Sequence, residues 1–330
     1  MDLSKAYDCL PHDLLIAKLA AYGMSKESLR LLLDYLGNRK QRVKVNSTLS
    51  SWIELFLGVP QGSVLGPILF NIFINDLIFH ILDSEICNFA DDNTPFTCGN
   101  TLEIVIIRLE DEVDRMLNWF EVNMLVANPG KFQAIFFGNG GKDFVVDMGR
   151  KQVRSSNVVK LLGVLIDNEL NFNEHITKMC SKASNKLKAF SRVRNELSHE
   201  QAKLLLNSFF YSSFSYCPLI WTFSGLGNNT QINRLHKRAL QLLSNDFSAD
   251  FKCLLETQNT KTIHNQNIDK LVIEVYKIVN GFTPNFLRDF FTKKETCHSY
   301  RNNNLLQLQS VREQTILKGI DSLTVRGIQI

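Results

Sequence analysis

Two adjacent carboxylates, Asp91 and Asp92, follow an apolar run and stand just before Pro95. Apolar residues 86–90, then polar turn-forming residues, then residues 94–98 predict a strand, a tight turn and a second strand. Two carboxylates about 5 Å apart at such a tip repel by roughly 3 kcal/mol at an effective dielectric of about 20. A divalent cation would offset this repulsion, because Mg²⁺ prefers carboxylate and phosphate oxygens. The same residues also suit an ordinary surface turn, so the rest of the chain must decide.

Length and composition predict a globular protein of more than one unit. A chain of 330 residues exceeds the size at which one hydrophobic core keeps growing, and its 23 Phe residues can supply a substantial core. A formal net charge of +4 permits a polyanionic partner without requiring one. The seven Cys residues are odd in number and never form a C-x-x-C pattern, which argues against a disulfide framework or a zinc site and favours a reducing compartment.

The hydropathy pattern predicts no membrane span and no membrane partner. The most apolar window, residues 64–82, is interrupted by Pro67, Asn75 and Asp76. The first residues lack the pattern of a signal peptide. We therefore expect an intracellular protein.

Local patterns predict helices joined by short hairpins. Ser25 is a candidate N-cap for a helix that Gly37 would end. Alternation over residues 41–45 and 52–57 predicts a hairpin around the turn-forming residues 46–48. Further predicted elements are helices over 14–22, 26–36, 68–82, 102–126 and 261–281, and a strand over 133–138.

Three short motifs follow one another in the first part of the chain: DLSKAYD at 2–8, GVPQGSVLGP at 58–67 and FADD at 89–92. The glycines and prolines of the middle motif predict a loop whose backbone can approach a ligand closely. In this order and spacing, the motifs resemble the palm of a reverse transcriptase of the non-LTR retrotransposon family, of the jockey-like or LINE type. The resemblance continues through NPGKF at 128–132, LLGVLID at 161–167 and YCPLIW at 216–221.

This resemblance implies an α+β fold of the right-hand polymerase type. We expect an antiparallel palm sheet with two helices on one face, followed by a helical thumb and a helical C-terminal extension. The implied boundaries are a palm with partial fingers over residues 1–147, a primer-grip hairpin over 148–175, a thumb over 176–245 and an extension of unknown role over 246–330.

The resemblance also implies RNA-directed DNA polymerase activity, with an RNA template, a DNA primer and dNTPs as partners. Asp2, Asp91 and Asp92 correspond to the family's catalytic carboxylates, which hold two Mg²⁺ ions, or Mn²⁺ in their place. Two such ions about 4 Å apart would stabilise the attacking 3′-hydroxyl and the leaving pyrophosphate. The alternative for Asp2 is a solvated chain terminus. Action on chromosomal DNA would place the protein in the nucleus.

Four further residues correspond to the family's nucleotide site. Tyr7 would stack under the deoxyribose and exclude a 2′-hydroxyl. Gln61 and Gly62 would line the pocket, and Lys131 would approach the triphosphate. The alternatives are a core tyrosine, a plain Pro-Gly turn and an exposed lysine at the start of a strand. We expect Asp8 to be structural, for example as an N-cap.

Basic residues in the predicted thumb suggest contact with nucleic acid. Lys178, Lys182 and Lys186 recur every four residues and therefore share one helix face. By resemblance, this stripe would follow a phosphate backbone, and Gly163 would lie in the hairpin that grips the primer end. A solvated helix face explains the same charges equally well.

The sequence departs from the family pattern ahead of Asp2, where the family has fingers, a palm strand and an endonuclease domain. Without that strand, we expect Asp2 to fray and the chain to be weakly active or inactive alone. Rival functions are a catalytically inactive nucleic-acid-binding relic and a metal-dependent nuclease that uses the same acids. The 58–67 loop and the spacing of Tyr7 favour nucleotide selection over the nuclease. Asn93 stands where the family more often has threonine, and we expect little effect.

Overall fold

The chain divides into two compact units, Met1–Asn157 and the chain from Val158 onward. They are seen in a computed structural model that describes residues 1–138, 143–149, 151–289 and 291. Helices and short antiparallel strand pairs occur in both units, as the predicted α+β class requires. The palm and thumb layout stays a prediction.

Four α-helices are described in the first unit. They are α1 His12–Ala21, α2 Lys26–Leu36, α3 Leu65–Ile74 and α4 Leu102–Val122. The Ser25 hydroxyl accepts a hydrogen bond from the Ser28 N–H, which confirms the predicted cap of α2. The Thr101 hydroxyl accepts from the Ile104 N–H and caps α4 in the same way. These caps satisfy N–H groups that have no partner within the helix.

Two of these helices differ in extent from their predictions. α3 begins before Pro67, because a proline in the first helical turn gives up no hydrogen bond. It gives way to a 3₁₀ turn at Asn75 and does not continue as an α-helix to residue 82. α4 ends before residue 126, since Met124 adopts a φ of 58°, which an α-helix cannot accommodate.

Within the described residues, the strands of the first unit form separate antiparallel pairs and no continuous sheet. β1 Lys40–Gln41 pairs with β4 Ile53–Glu54, β2 Lys44–Val45 with β3 Thr48–Leu49, β5 Glu85–Phe89 with β6 Asp92–Phe96, and β7 Val145–Asp147 with β8 Gln152–Arg154. The predicted strand over 133–138 is wrong, since it is reduced to a single bridge between Ala134 and Ser155. Phe132 and Ala134 are buried in an apolar cluster with Val146, so packing fixes this segment.

A core of large apolar side chains stabilises the first unit. Leu15 and Leu19 of α1, Phe70 and Phe73 of α3, and Phe120 of α4 are almost fully buried in one cluster. Full burial of such a side chain contributes roughly 1.5–3 kcal/mol. Among the helices described, none combines the length and the apolar character needed to cross a bilayer.

The second unit begins with a hairpin and continues as helices. The hairpin strands are β9 Val158–Leu161 and β10 Val164–Asp167. The helices are α5 Asn173–Val193, α6 His199–Phe209, α7 Pro218–Trp221, α8 Leu226–Ser244, α9 Phe251–Thr257, α10 Ile263–Val279 and α11 Asn285–Arg288. α10 confirms the predicted helix over 261–281, and Gly281 follows it with a φ of 77°. Beyond residue 291, the predicted extension lies outside the described residues.

Candidate active site

Backbone hydrogen bonds hold residues 1–4 on both sides, so the expectation that Asp2 frays was wrong. The bonds, donor first, are Asn93 N–H to Met1 O at 2.8 Å, Asn128 N–H to Asp2 O at 2.9 Å and Ser4 N–H to Val126 O at 2.7 Å. Leu3 is buried in the core and bridges antiparallel to Ala127. The segment therefore lies between β6 and the 126–128 stretch. This long-range pairing fixes the Asp2 backbone beside the β5–β6 hairpin.

The paired acids lie at the tip of that hairpin. Phe89 pairs with Asp92, so Ala90 and Asp91 form a two-residue turn. Ala90 has a φ of 52°, in the left-handed region that costs a non-glycine residue about 1–2 kcal/mol. Asn93 is completely buried and donates its side-chain N–H to the Asp91 carbonyl at 3.0 Å. Asn93 therefore braces the turn, a role that its place in the sequence did not indicate.

The carboxylates of Asp2, Asp91 and Asp92 share one electrostatic environment. Burial raises the pKa of Asp92, and the negative charges of Asp2 and Asp91 raise it further. Lys131 forms an ion pair with Asp2. That bond raises the pKa of Lys131, with smaller contributions from Asp91 and Asp92. The structure thus brings the three predicted catalytic acids and Lys131 into one cluster.

This cluster has the donor chemistry of a divalent-metal site. Carboxylate oxygens are the hard ligands that Mg²⁺ prefers, and the Lys131 ammonium shows that Asp2 accepts a cation in this position. Among the described residues, however, no three His, Cys, Asp or Glu side chains are arranged to hold one ion together. The acids therefore supply the type of ligand that Mg²⁺ prefers, but they do not form a complete set of ligands around one ion. Substrate phosphates commonly complete such sites for Mg²⁺.

Tyr7 lies in a short 3₁₀ turn, Ala6–Asp8, close to the cluster in sequence. Its ring stacks on Phe70 with centroids 4.8 Å apart and an interplanar angle of 26°. Its carbonyl accepts a hydrogen bond from the Val59 N–H at 2.8 Å. Tyr7 is half-buried, so the residue packs on the core through Phe70 and stays partly accessible to solvent. The role of Tyr7 as a sugar gate stays a prediction.

The 58–67 loop packs on the same turn. Gln61 donates its side-chain N–H to the Asp8 carboxylate at 2.8 Å, so Asp8 orients the predicted nucleotide residue and does not cap a helix. Gly62 has a φ of 78°, and a Cβ added there would meet no described atom within 4 Å. A Cβ at Gly58, by contrast, would lie 2.8 Å from the Tyr7 carbonyl oxygen, at a φ of 86°. Sequence reasoning missed Gly58, the glycine at which the loop backbone contacts the turn most closely.

The lysines predicted to follow nucleic acid have unequal surroundings on α5. Lys178 forms an i,i+4 ion pair with Glu174 at 2.6 Å. Lys186 is half-buried and donates to the Ser213 hydroxyl at 2.9 Å. Lys182 is exposed on the same helix. Their helical spacing is as predicted, and their binding role stays a prediction.

Gly163 lies at the tip of the β9–β10 hairpin. Leu162 and Gly163 form its two-residue turn with φ values of 46° and 87°. Two positive φ values are what a type I′ turn requires, which explains the glycine. The Tyr216 hydroxyl donates to the Leu162 carbonyl and fixes the tip against the following helical segment. A primer-grip role for this tip stays a prediction.

Comparison with known proteins assigns the family. Residues 1–166 match the family described as reverse transcriptase (RNA-dependent DNA polymerase). The chain belongs to this reverse transcriptase family. The match includes the three acids, Tyr7, the 58–67 loop and Lys131, which are the residues that carried the predicted resemblance.

Individual relatives make the reverse transcriptase assignment narrower. The chain is 30% identical over 210 residues to the RNA-directed DNA polymerase from mobile element jockey of Drosophila melanogaster, covering 60% of this chain and 23% of the relative. It is 24% identical over 263 residues to the probable RNA-directed DNA polymerase from transposon BS of the same species, covering 74% of this chain and 28% of the relative. The reverse transcriptase chain thus spans about a quarter of the length of these relatives. They confirm the predicted resemblance to jockey-like non-LTR retrotransposons.

Proposed function

We propose that this reverse transcriptase domain extends a DNA primer on an RNA template by nucleotidyl transfer from dNTPs. The observation that carries the proposal is that Asp2, from the start of the sequence, joins the adjacent Asp91 and Asp92 in one electrostatic cluster. A cluster of carboxylates has an electrostatic cost, and active sites are where such costs are commonly found.

The chain's own residues suit this reaction. Asp2, Asp91 and Asp92 would hold two divalent ions, Mg²⁺ or Mn²⁺. When bound, these ions would stabilise the attacking and leaving oxygens. Lys131 keeps its proton because its bond to Asp2 raises its pKa. It can therefore neutralise Asp2 before substrate binds and donate to a phosphate oxygen afterwards.

The nucleotide would be oriented by the Ala6–Asp8 turn, which follows Asp2 closely in the sequence, and by the 58–67 loop that packs on this turn. Asp8 holds the Gln61 amide through a hydrogen bond at 2.8 Å, which positions that side chain. The open space beside Gly62 leaves its backbone accessible to a ligand. Tyr7, stacked on Phe70, presents a ring that the core keeps from moving. A sugar bearing a 2′-hydroxyl would be excluded by this ring.

A second candidate function is nucleic-acid binding without synthesis. Two observations favour it: the Asp2 carboxylate is already paired with Lys131, and no set of three metal ligands is preassembled among the described residues. In that case the domain would bind a primer–template and leave it unchanged. The two candidates differ in one measurable respect, namely metal-dependent incorporation of nucleotides.

Primer extension with the full chain, an annealed RNA template and DNA primer, dNTPs and Mg²⁺ tests the proposal. We expect Asp91→Asn/Asp92→Asn to lower the extension rate by at least about 100-fold, the scale on which removal of a preorganised electrostatic group acts. The matched control is Glu27→Gln/Asp34→Asn, which removes the same charge from exposed positions of α2 and should leave the rate unchanged. Mg²⁺ should also raise the melting temperature of the wild-type chain but not that of the Asp91→Asn/Asp92→Asn variant.

Three results would contradict either the proposed synthesis or the role given to the acids. Binding of primer–template without extension in either Mg²⁺ or Mn²⁺ would support the second candidate. Cleavage of the nucleic acid without extension would support a nuclease. Extension that survives in Asp91→Asn/Asp92→Asn would show that these acids do not carry the reaction.

A further inference from the structure

One hairpin of the first unit lies outside the apolar clusters of its core. Every residue from 40 to 54 is exposed, although residues 40–41 pair with 53–54 and residues 44–45 pair with 48–49. Soluble proteins rarely expose large contiguous apolar patches, and the patches that they do expose commonly mark interaction sites. The proposed function assigns no role to this hairpin.

The first arm of the hairpin carries most of its charge. Two short strand pairs build the hairpin, and residues 42–43 between β1 and β2 belong to neither strand. Lys40 pairs across the ladder with Glu54, and Lys44 pairs with Leu49. Lys40, Arg42 and Lys44 therefore place three exposed cations within five residues of this arm.

An aromatic side chain lies against one of these cations. The guanidinium carbon of Arg42 lies 4.4 Å from the centroid of the Trp52 ring. Trp52 nevertheless stays 57% exposed, so much of its surface remains accessible. We call Arg42, Trp52 and the neighbouring exposed Lys44 the basic face of the hairpin.

Charge favours a polyanion as the partner of this face. Residues 39–57 contain Arg39, Lys40, Arg42 and Lys44 against the single acid Glu54, which leaves a balance of +3. Glu54 lies 3.3 Å from the Lys40 ammonium and offsets that charge alone. Proteins that bind single strands combine such cations, which contact phosphates, with exposed aromatic rings on which bases stack.

We propose that the basic face of the 40–54 hairpin, formed by Arg42, Lys44 and Trp52, binds a single-stranded segment of nucleic acid. Phosphates would contact Arg42 and Lys44, and one base would stack on the accessible part of the Trp52 ring. Recognition would tolerate any sequence, because every base has a face that can stack. Assignment of this strand to the RNA template rests on the proposed function, whereas the binding itself does not.

The test measures equilibrium binding by fluorescence anisotropy, without dNTPs or metal. The probes are a labelled single-stranded RNA of 12 nucleotides and a blunt RNA–DNA duplex of the same sequence. For Arg42→Gln/Lys44→Gln, we expect the slope of log K against log salt on the single strand to fall by about 1.4, since each phosphate contact to a single strand contributes about 0.7. The matched control Lys26→Gln/Arg30→Gln removes the same charge from exposed positions of α2 and should not change the slope.

Trp52→Ala tests the stacking contribution separately from charge. We expect it to weaken binding of the single strand about 5- to 150-fold, the range for loss of one base–aromatic stack, and to leave duplex binding unchanged. Because these positions are exposed, all variants should keep the wild-type melting temperature, which excludes misfolding as the cause.

Several outcomes would overturn the inference. Equal loss of single-strand and duplex binding in Trp52→Ala would mean that the Trp52 ring does not act by stacking on an unpaired base. Unchanged binding in all hairpin variants, with altered sedimentation of the chain, would mean that the hairpin binds protein. Failure of primer extension with hairpin-dependent binding intact would reject the proposed function alone, and extension with hairpin-independent binding would reject this inference alone.

Discussion

Glu112 in the first unit and His236 in the second are both completely buried ionisable side chains, yet their surroundings are opposite. The Glu112 carboxylate accepts hydrogen bonds from the backbone N–H groups of Leu82 at 3.1 Å and Asp83 at 2.9 Å, and from Arg115 at 3.2 Å. Among the described residues, neither ring nitrogen of His236 has a hydrogen-bond partner. One unit uses a buried charge, and the other buries a neutral ring.

The difference follows from what each side chain holds in place. Leu82 and Asp83 lead into β5, so Glu112 on α4 anchors the hairpin that carries Asp91 and Asp92. His236 on α8 instead packs between the rings of Tyr211 and Phe251, with centroids 5.4 Å away in each case. Burial lowers the pKa of His236 to about 4, so the ring is neutral at pH 7. A buried polar group thus positions the candidate site in one unit and only fills space in the other.

The largest expected effect concerns His236 and acid stability. Its pKa in the folded chain, about 4, lies below the ordinary value of about 6.5, so only the unfolded chain binds a proton between these values. Stability from this residue is therefore full above pH 6.5 and declines as the pH falls towards 4. We expect the free energy of unfolding to fall by roughly 2 kcal/mol between pH 7 and pH 4.5 through His236 alone.

Chemical denaturation at both pH values measures this loss. His236→Phe, which keeps an aromatic ring and removes the titrating group, should abolish that part of the pH dependence. His199→Gln is the matched control, because it removes a histidine that is exposed at the start of α6. An unchanged pH dependence in His236→Phe would show that the ring is not held neutral by burial.

The first unit shows how much of the fold and of the candidate site the sequence alone predicts. The cap of α2 was predictable because Ser25 and Gly37 act on their own helix. The acidic hairpin was predictable because an apolar run and turn residues are adjacent in the chain. Both depend on local interactions, which a sequence displays directly.

Long-range contacts account for what the sequence did not show. The pairing of Leu3 with Ala127 holds Asp2 in place, and no local sequence pattern predicts this pairing. Lys131 was expected beside a triphosphate, and its ion pair with Asp2 appears only once the fold brings them together. The burial of Glu112 was also unpredictable, because a glutamate in an amphipathic helix usually faces water.

A smaller effect is expected from removing the charge of Glu112. Glu112→Gln keeps the shape of the side chain but replaces one accepting oxygen with an NH₂ group. The glutamine can therefore no longer accept hydrogen bonds from Leu82, Asp83 and Arg115 together. We expect a loss of about 1.5 kcal/mol in the free energy of unfolding, the lower end of the range for hydrogen bonds to charged groups, because the amide oxygen of glutamine can still accept. Asp111→Asn, an exposed neighbour on α4, removes the same charge and should cost less than about 0.5 kcal/mol. Similar losses in the two variants would contradict the anchoring role of Glu112.

The smallest effect separates the lysines of α5, whose surroundings differ more than their spacing suggests. Lys182 is exposed and, if it contacts a phosphate, Lys182→Gln should reduce the salt slope for single-stranded RNA by about 0.7. Lys186→Gln should change that slope less, because its ammonium is already held by the Ser213 hydroxyl. Because Lys182 is exposed, Lys182→Gln should alter the free energy of unfolding by less than about 0.5 kcal/mol.

Lys188 provides the control for this helix, since it is exposed on a different face of α5. Lys188→Gln removes the same charge without belonging to the stripe of Lys178, Lys182 and Lys186. Anisotropy titrations at several salt concentrations would give the slope for each variant. If Lys188→Gln and Lys182→Gln lower the slope equally, the stripe acts only through net charge and the helix has no binding face. A slope that responds to Lys182 and not to Lys188 would show that one face of α5 binds nucleic acid.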